Sequence, residues 1–169
     1  MRYFISTFSV VIFIICLLIF LTNLANAQSK PQVKIIVLPQ HEENFNKLIS
    51  WLKKNHLFKD KVDFINSIKE TFKSAEKADT EKYRRWLSIY KSELSKLNEV
   101  EKKELMDFIL SSLKPVKGEE ELSPMELPGG RCEANCLLTS CKTECLGGTK
   151  PKCKCEWFFA DCGCEPYQP

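Results

Sequence analysis

The chain has little with which to do chemistry. It contains no glycine-rich phosphate loop, no H-E-x-x-H and no G-x-S-x-G. It has only two histidines, His41 and His56, and neither lies in a Cys/His metal spacing. Both are expected at the surface. Acidic pairs such as Glu42-Glu43 fall at expected helix starts, where they suit the helix dipole rather than general acid–base work. No N-x-[ST] acceptor occurs, so N-glycosylation is not expected. These absences exclude the common hydrolase, zinc-protease and nucleotide-binding classes. The expectation is a non-catalytic protein that needs no cofactor.

A strong charge of one sign is also missing. The formal net charge is +3. Residues 28–118 are mildly basic, 119–130 hold four glutamates and no basic residue, and 131–169 are balanced at five of each sign. A mild excess spread over helices marks a solvated surface rather than a nucleic-acid footprint. The neutral C-terminal block argues against a simple cationic membrane-lytic peptide.

What is present begins with a leader. Arg2, the apolar run Val10 to Leu21 and the small-x-small Ala25-Asn26-Ala27 resemble a secretory signal peptide over residues 1–27. The run of 12 is short for a membrane span, which needs about 20 residues. A retained signal anchor is the rival reading. Cys16 lies within the run and is expected to leave with it. The expected mature chain is Gln28–Pro169, secreted and extracellular.

Residues 28–40 are expected as an extended arm, with β-prone Val33 to Leu38 closed by Pro39. Helical periodicity then takes over. Phe45, Leu48, Ile49 and Leu52 fall at i, i+3, i+4, i+7, and Asn55 is a plausible stop. Asp60 is a candidate cap for a helix with stripe Val62, Ile65, Ile68 and Phe72. Asp79-Thr80 can cap a third, with Tyr83, Trp86, Leu87, Tyr90, Leu94 and Leu97. Asn98 and Glu101 form a capping-box pattern before Leu105, Phe108, Ile109 and Leu113. Residues 41–114 therefore predict a small four-helix bundle, with Trp51, Trp86, Phe45, Phe72 and Phe108 as core. Trp86 and its neighbours as a ligand groove is the functional rival. Residues 115–130 form an acidic linker that includes Glu119-Glu120-Glu121 and Gly129-Gly130.

Residues 131–169 carry eight of the nine cysteines: Cys132, Cys136, Cys141, Cys145, Cys153, Cys155, Cys162 and Cys164. Two C-x3-C pairs precede two C-x-C pairs. Residues i and i+4 share a helix face, and i and i+2 share one side of a strand. The segment Glu133 to Glu144 has no Gly or Pro and is expected to be helical. Lys152 to Glu165 is expected as a hairpin turning near Ala160-Asp161. A helical C-x3-C beside a C-x-C strand resembles the cysteine-stabilised α/β motif of defensin-like secreted peptides, over Cys132 to Cys164 alone. One straight helix would set the two C-x3-C pairs on opposite faces, so a kink near Thr139-Ser140 or two short turns is required. Pairing is left open, since eight cysteines allow about 105 connectivities.

The fold class expected is thus mainly α: a small four-helix bundle followed by a disulfide-rich module of a short helix plus a β-hairpin. Trp157-Phe158-Phe159, between the C-x-C pairs, either folds back on the helix or forms an exposed apolar tip. The leading functional expectation is a secreted module for defence, toxin-like action or signalling. It would bind an unknown extracellular protein or membrane surface through Trp157, Phe158, Phe159, Lys150, Lys152 and Lys154. Release from a helical pro-region near Gly130-Arg131 is one version. The alternatives are a thiolate metal-binding protein and an extracellular structural or adhesive protein acting through its helices.

Overall fold

A computed structural model describes residues 32–116, 130–145 and 148–166, which belong to one compact unit. The leader with Cys16, the linker glutamates Glu119-Glu120-Glu121, Gly129 and Gly147 lie outside the described residues.

The described residues hold four helices, and side-chain caps mark the starts of three of them. Helix α1 spans Pro39–Lys54, with proline in its first turn and Asn55 as its C-cap. Its N-terminus is closed by a histidine: the Leu38 amide donates to His41 Nδ1 at 2.8 Å. Helix α2 spans Val62–Glu76. Asp60 does not cap it; Lys61 occupies that position and makes no side-chain cap. Helix α3 spans Thr80–Ser95, and Asp79 accepts the Lys82 amide at 3.0 Å. Helix α4 spans Glu99–Ser112 behind the reciprocal Asn98/Glu101 capping box, with bonds of 2.9 and 3.0 Å.

The cysteine block corrects the expected fold class. It contains no helix among the described residues. Instead it folds as two hairpins, so the class is α+β rather than mainly α with a helix-plus-hairpin module. Strands β2 (Arg131–Asn135) and β3 (Ser140–Glu144) pair antiparallel across the four-residue connection 136–139, closed by the Cys136 amide donating to the Thr139 carbonyl at 3.0 Å. Strands β4 (Thr149–Glu156) and β5 (Phe159–Pro166) pair likewise, and their turn is Trp157-Phe158 rather than Ala160-Asp161. The physical reason is parity. Residues i and i+4 share one side of a strand as well as one face of a helix. Covalent contact with two partner strands then selects the extended form. Ala134 and Cys141 are register partners, as are Cys132 and Thr143, so this face turns sulfur inward.

The β-prone segment is a strand, β1 (Gln32–Ile36), and it completes the first sheet in the order β1-β3-β2. Val33 and Ile35 stand opposite Thr143 and Cys141. The chain thus returns after four helices to pair its C-terminal block with the strand that precedes them.

The core is continuous between helices and sheets. A file of rings runs from Phe108 through Trp51, Phe58, Phe64 and Tyr90 to Phe158 and Phe159, with successive centroids 4.3 to 6.1 Å apart. Leu48, Leu52, Ile68 and Leu105 fill the space around it and are fully buried. Phe72 is buried and stacks on half-buried Phe45 at 4.1 Å. Trp51 and Phe108 pack against the core from its margin. Trp86 is half-exposed and takes no part in the central cluster. Phe58, Phe64, Tyr83 and Tyr90 hold the central place expected of it.

Two buried tyrosines differ in polar satisfaction. The Tyr83 hydroxyl donates to the Ala160 carbonyl at 2.6 Å and lies 3.0 Å from Thr139 Oγ1, which also accepts the Ala160 amide at 2.9 Å. The Tyr90 hydroxyl is buried with only the Phe158 backbone near it and makes no well-formed hydrogen bond among the described residues. An orphaned hydroxyl costs desolvation, whereas a bonded one contributes about 1 kcal/mol per bond. Tyr83→Phe is therefore expected to lower unfolding free energy by roughly 1–2 kcal/mol, and Tyr90→Phe to leave it unchanged or raise it. Urea unfolding followed by tryptophan fluorescence checks both.

Candidate functional site

All eight block cysteines are bonded, in the pairs Cys132–Cys153, Cys136–Cys155, Cys141–Cys162 and Cys145–Cys164. The first hairpin's C-x3-C pairs each join a C-x-C of the second. The Cα–Cα separations are 5.6 to 6.0 Å, within the ordinary range for cystine. A strand advances about 3.3 Å per residue, so four residues on one hairpin meet two on the other. The strands cannot run in parallel register and must diverge, and Cys136 and Cys145 sit just beyond the ends of β2 and β3.

The centre of the stack is sulfur. Cys153 and Cys162 are register partners, and the sulfurs of Cys132, Cys153 and Cys162 lie within 4.8 Å of one another. Because each is bonded, none is a thiolate, the form that a metal ligand or nucleophile requires. Disulfides of this density belong to an oxidising environment. Among the described residues, no helix is long and apolar enough to cross a membrane.

With sulfur inward, alternate residues of β4 and β5 turn outward. Lys150, Lys152 and Lys154 form an exposed row on β4, opposite Glu165, Gly163 and Asp161 on β5. Lys152 reaches Glu165 at 2.6 Å, and Lys154 pairs with Glu156. Lys91 of α3 joins the same network, 2.6 Å from Asp161 and 3.4 Å from Glu156. Gly163 adds no side chain, and a Cβ there would meet nothing within 4 Å. The result is an open cleft of about 380 Å³ lined by Lys152, Lys154, Asp161, Gly163, Cys164 and Glu165.

The network moves its members' pKa values in the direction of pairing. A hydrogen bond from Lys152 lowers Glu165. Burial raises Glu156, but Lys154 and Lys91 outweigh it and leave it lowered. A hydrogen bond to Glu156 raises Lys154. All three stay charged at neutral pH. Lys150 ends the row opposite Glu165, on which it acts electrostatically without a close ion pair among the described residues.

The aromatic half of the expected site is not at the surface. Phe158 and Phe159 are fully buried, and Trp157 is half-buried and packed on the core. Phe159 lies edge-on to Tyr90 at 5.1 Å and Tyr83 at 6.4 Å, while the Phe158 carbonyl accepts the Leu138 amide at 2.8 Å. The triplet folds back onto the helices because they offer apolar area that the block cannot supply. Trp157 carries a φ of 57°, a strained value that turns the hairpin so both phenylalanines enter the core. Exposed contact through Phe158 and Phe159 is thereby corrected, while the three lysines remain available.

Two polar residues that join helices to sheets had no clear sequence signal. Asn44 donates to the carbonyls of Lys114 at 2.9 Å and Leu137 at 3.0 Å, and accepts the Lys114 amide at 3.2 Å. His41, expected at the surface, is fully buried, with Nε2 3.4 Å from Ser140 Oγ. Its position at the third residue of α1 was the available signal, since that position reaches back to the N-cap. His56 is exposed as expected.

Each cystine closes a loop of 19 or 21 residues. Loop-closure entropy alone then gives about 3 kcal/mol per bond. Cys141→Ala/Cys162→Ala is expected to lower stability by at least that amount in chemical denaturation, and peptide mapping without reductant is expected to recover the four pairs above. Comparison with protein-family models, with curated proteins and with solved structures finds no match for this chain.

Proposed function

We propose that this chain is an exported, non-catalytic binding protein. Its helices serve as a platform for a cystine-stapled pair of hairpins, and the outward face of β4–β5 meets an extracellular protein partner. The observation that carries this reading is the lysine row Lys150, Lys152 and Lys154 facing Glu165 and Asp161 across the gap at Gly163. Cystines immobilise the backbone beneath these side chains, so few backbone degrees of freedom are lost on contact. Two opposed rows of charge complement a partner that offers acidic groups to one row and basic groups to the other, which favours specificity and association rate over raw affinity. The leader-like residues 1–27 supply the route of export.

The whole mature chain is the acting form in this reading, not a module released near Gly130-Arg131. Separating the block from the helices would uncover Phe158, Phe159 and Leu138, all fully buried in the intact chain. The thiolate metal reading would require sulfurs that are bonded here.

The test is capture of the partner from the extracellular fluid of the source tissue by the full-length chain. Lys150→Glu/Lys152→Glu/Lys154→Glu is expected to reduce capture at least tenfold. Lys53→Glu/Lys54→Glu, at the exposed end of α1, is expected to leave it unchanged. Equal capture by all three proteins would sink the reading.

A further inference from the structure

His41 is the one histidine that the fold encloses, and it stands where three elements meet: the β1–α1 connection, the first turn of α1 and the β2–β3 hairpin. Its ring has no exposure. Nδ1 accepts the Leu38 amide at 2.8 Å, so that nitrogen carries no proton in the folded chain. The proton sits on Nε2, 3.4 Å from the Ser140 hydroxyl, with the Cys136 backbone close to the ring. The Leu38 amide thus selects the neutral tautomer. A second proton on Nδ1 would meet an N–H donor head-on, inside a buried site, at the positive end of a helix dipole.

We propose that His41 is an acid-sensitive bolt, whose protonation frees strand β1 and the first turn of α1 from the sheets while the cystine-stapled hairpins stay folded.

The charged residues on the elements around it are occupied elsewhere. Lys142 of β3 pairs with Glu133 of β2 at 3.0 Å, and Glu43 of α1 pairs with Lys47 at 2.7 Å and with Lys114 at 3.7 Å. Glu42 of α1 and Lys34 of β1 are exposed. Burial lowers the His41 pKa to about 4, partly opposed by the Cys136 carbonyl. The sign follows from linkage. A histidine of ordinary pKa in the opened state takes up a proton as pH falls below about 6.5, while the enclosed ring refuses it. The bolt's contribution is complete above pH 6.5 and is lost progressively down to about 4.

The effect is local because the other buried polar contacts of the seam are uncharged. Asn44 and its two carbonyls are neutral. So is the Tyr83–Thr139–Ala160 network, with the Tyr83 hydroxyl raised by burial. The lowered pKa of Glu156 keeps its bridge to Lys91 intact until stronger acid. The four cystines hold β2–β5 together regardless of pH.

Hydrogen exchange on the full chain, normalised to intrinsic rates, tests this. Between pH 6.5 and 4.5 the protection of the Leu38, His41 and Glu42 amides and of β1 is expected to fall about 40-fold. Protection of β4–β5 is expected to hold. In His41→Gln the drop is expected to vanish, since glutamine at this position can still accept the N-cap amide but does not titrate. An equal response in both proteins, or an equal loss across β4–β5, would overturn the proposal. Should His41→Gln fail to fold, the ring resonances of the unaltered chain decide. A midpoint near 4 that coincides with the loss of amide protection supports the bolt, and a midpoint near 6.5 overturns it.

Discussion

Four cystines between two hairpins are the constraint on which the rest of the molecule depends. Strands of five and eight residues form sheets too small to be stable alone. The bonds remove that difficulty by tying β2 to β4 and β3 to β5 along the chain, each across about 20 residues. With sulfur filling the interior, the sheets need few large apolar side chains of their own. Their outer faces are left to ion pairs such as Arg131–Glu144 and Lys152–Glu165.

Covalent bonding does not extend to the helices, because every bonded cysteine lies beyond residue 130. Three non-covalent devices join the two parts instead. Strand β1 donates an edge to β3. The Trp157-Phe158 turn pushes two phenylalanines against the rings of α3. Polar bolts at His41, Asn44 and Tyr83 close the seam, and their neutral partners are buried with them. Buried polar contacts of this kind fix geometry more than they add stability, since each replaces bonds to water. The lysine row owes its position to both parts: cystines orient β4, and Lys91 of α3 anchors Asp161 and Glu156 beside it.

Much of the helical half was legible. Apolar residues at i, i+3 and i+4 mark which face must be buried, and the Asp79 and Asn98 caps mark where helices start, because both are local properties of the chain. The Asp60 cap was not realised, and Trp86 lies outside the centre of the core. A stripe shows that a face is covered, not which residues are deepest. The helix expected over Glu133 to Glu144 failed on parity: even cysteine spacings satisfy strand and helix alike, and the odd step from Cys136 to Cys141 was the mark of a hairpin. The Trp157-Phe158-Phe159 triplet was legible as apolar area in need of cover, but the expected cover was a helix of the block itself, and it comes instead from α3.

The sequence by itself determined the oxidising character of the fold, the even complement of cysteines in residues 131–169, the helical periodicity of residues 41–114 and the lysines at alternate positions of residues 150–154. Each is a matter of composition or of neighbours along the chain. Only the tertiary structure decided the cystine pairing, the return of β1 to β3, the burial of Phe158 and Phe159, and the enclosure of His41. Those depend on contacts between residues as many as 112 positions apart, as Gln32 and Glu144 are. No local pattern encodes such contacts, because the free energy that selects them is shared among surfaces that meet only once the chain has folded.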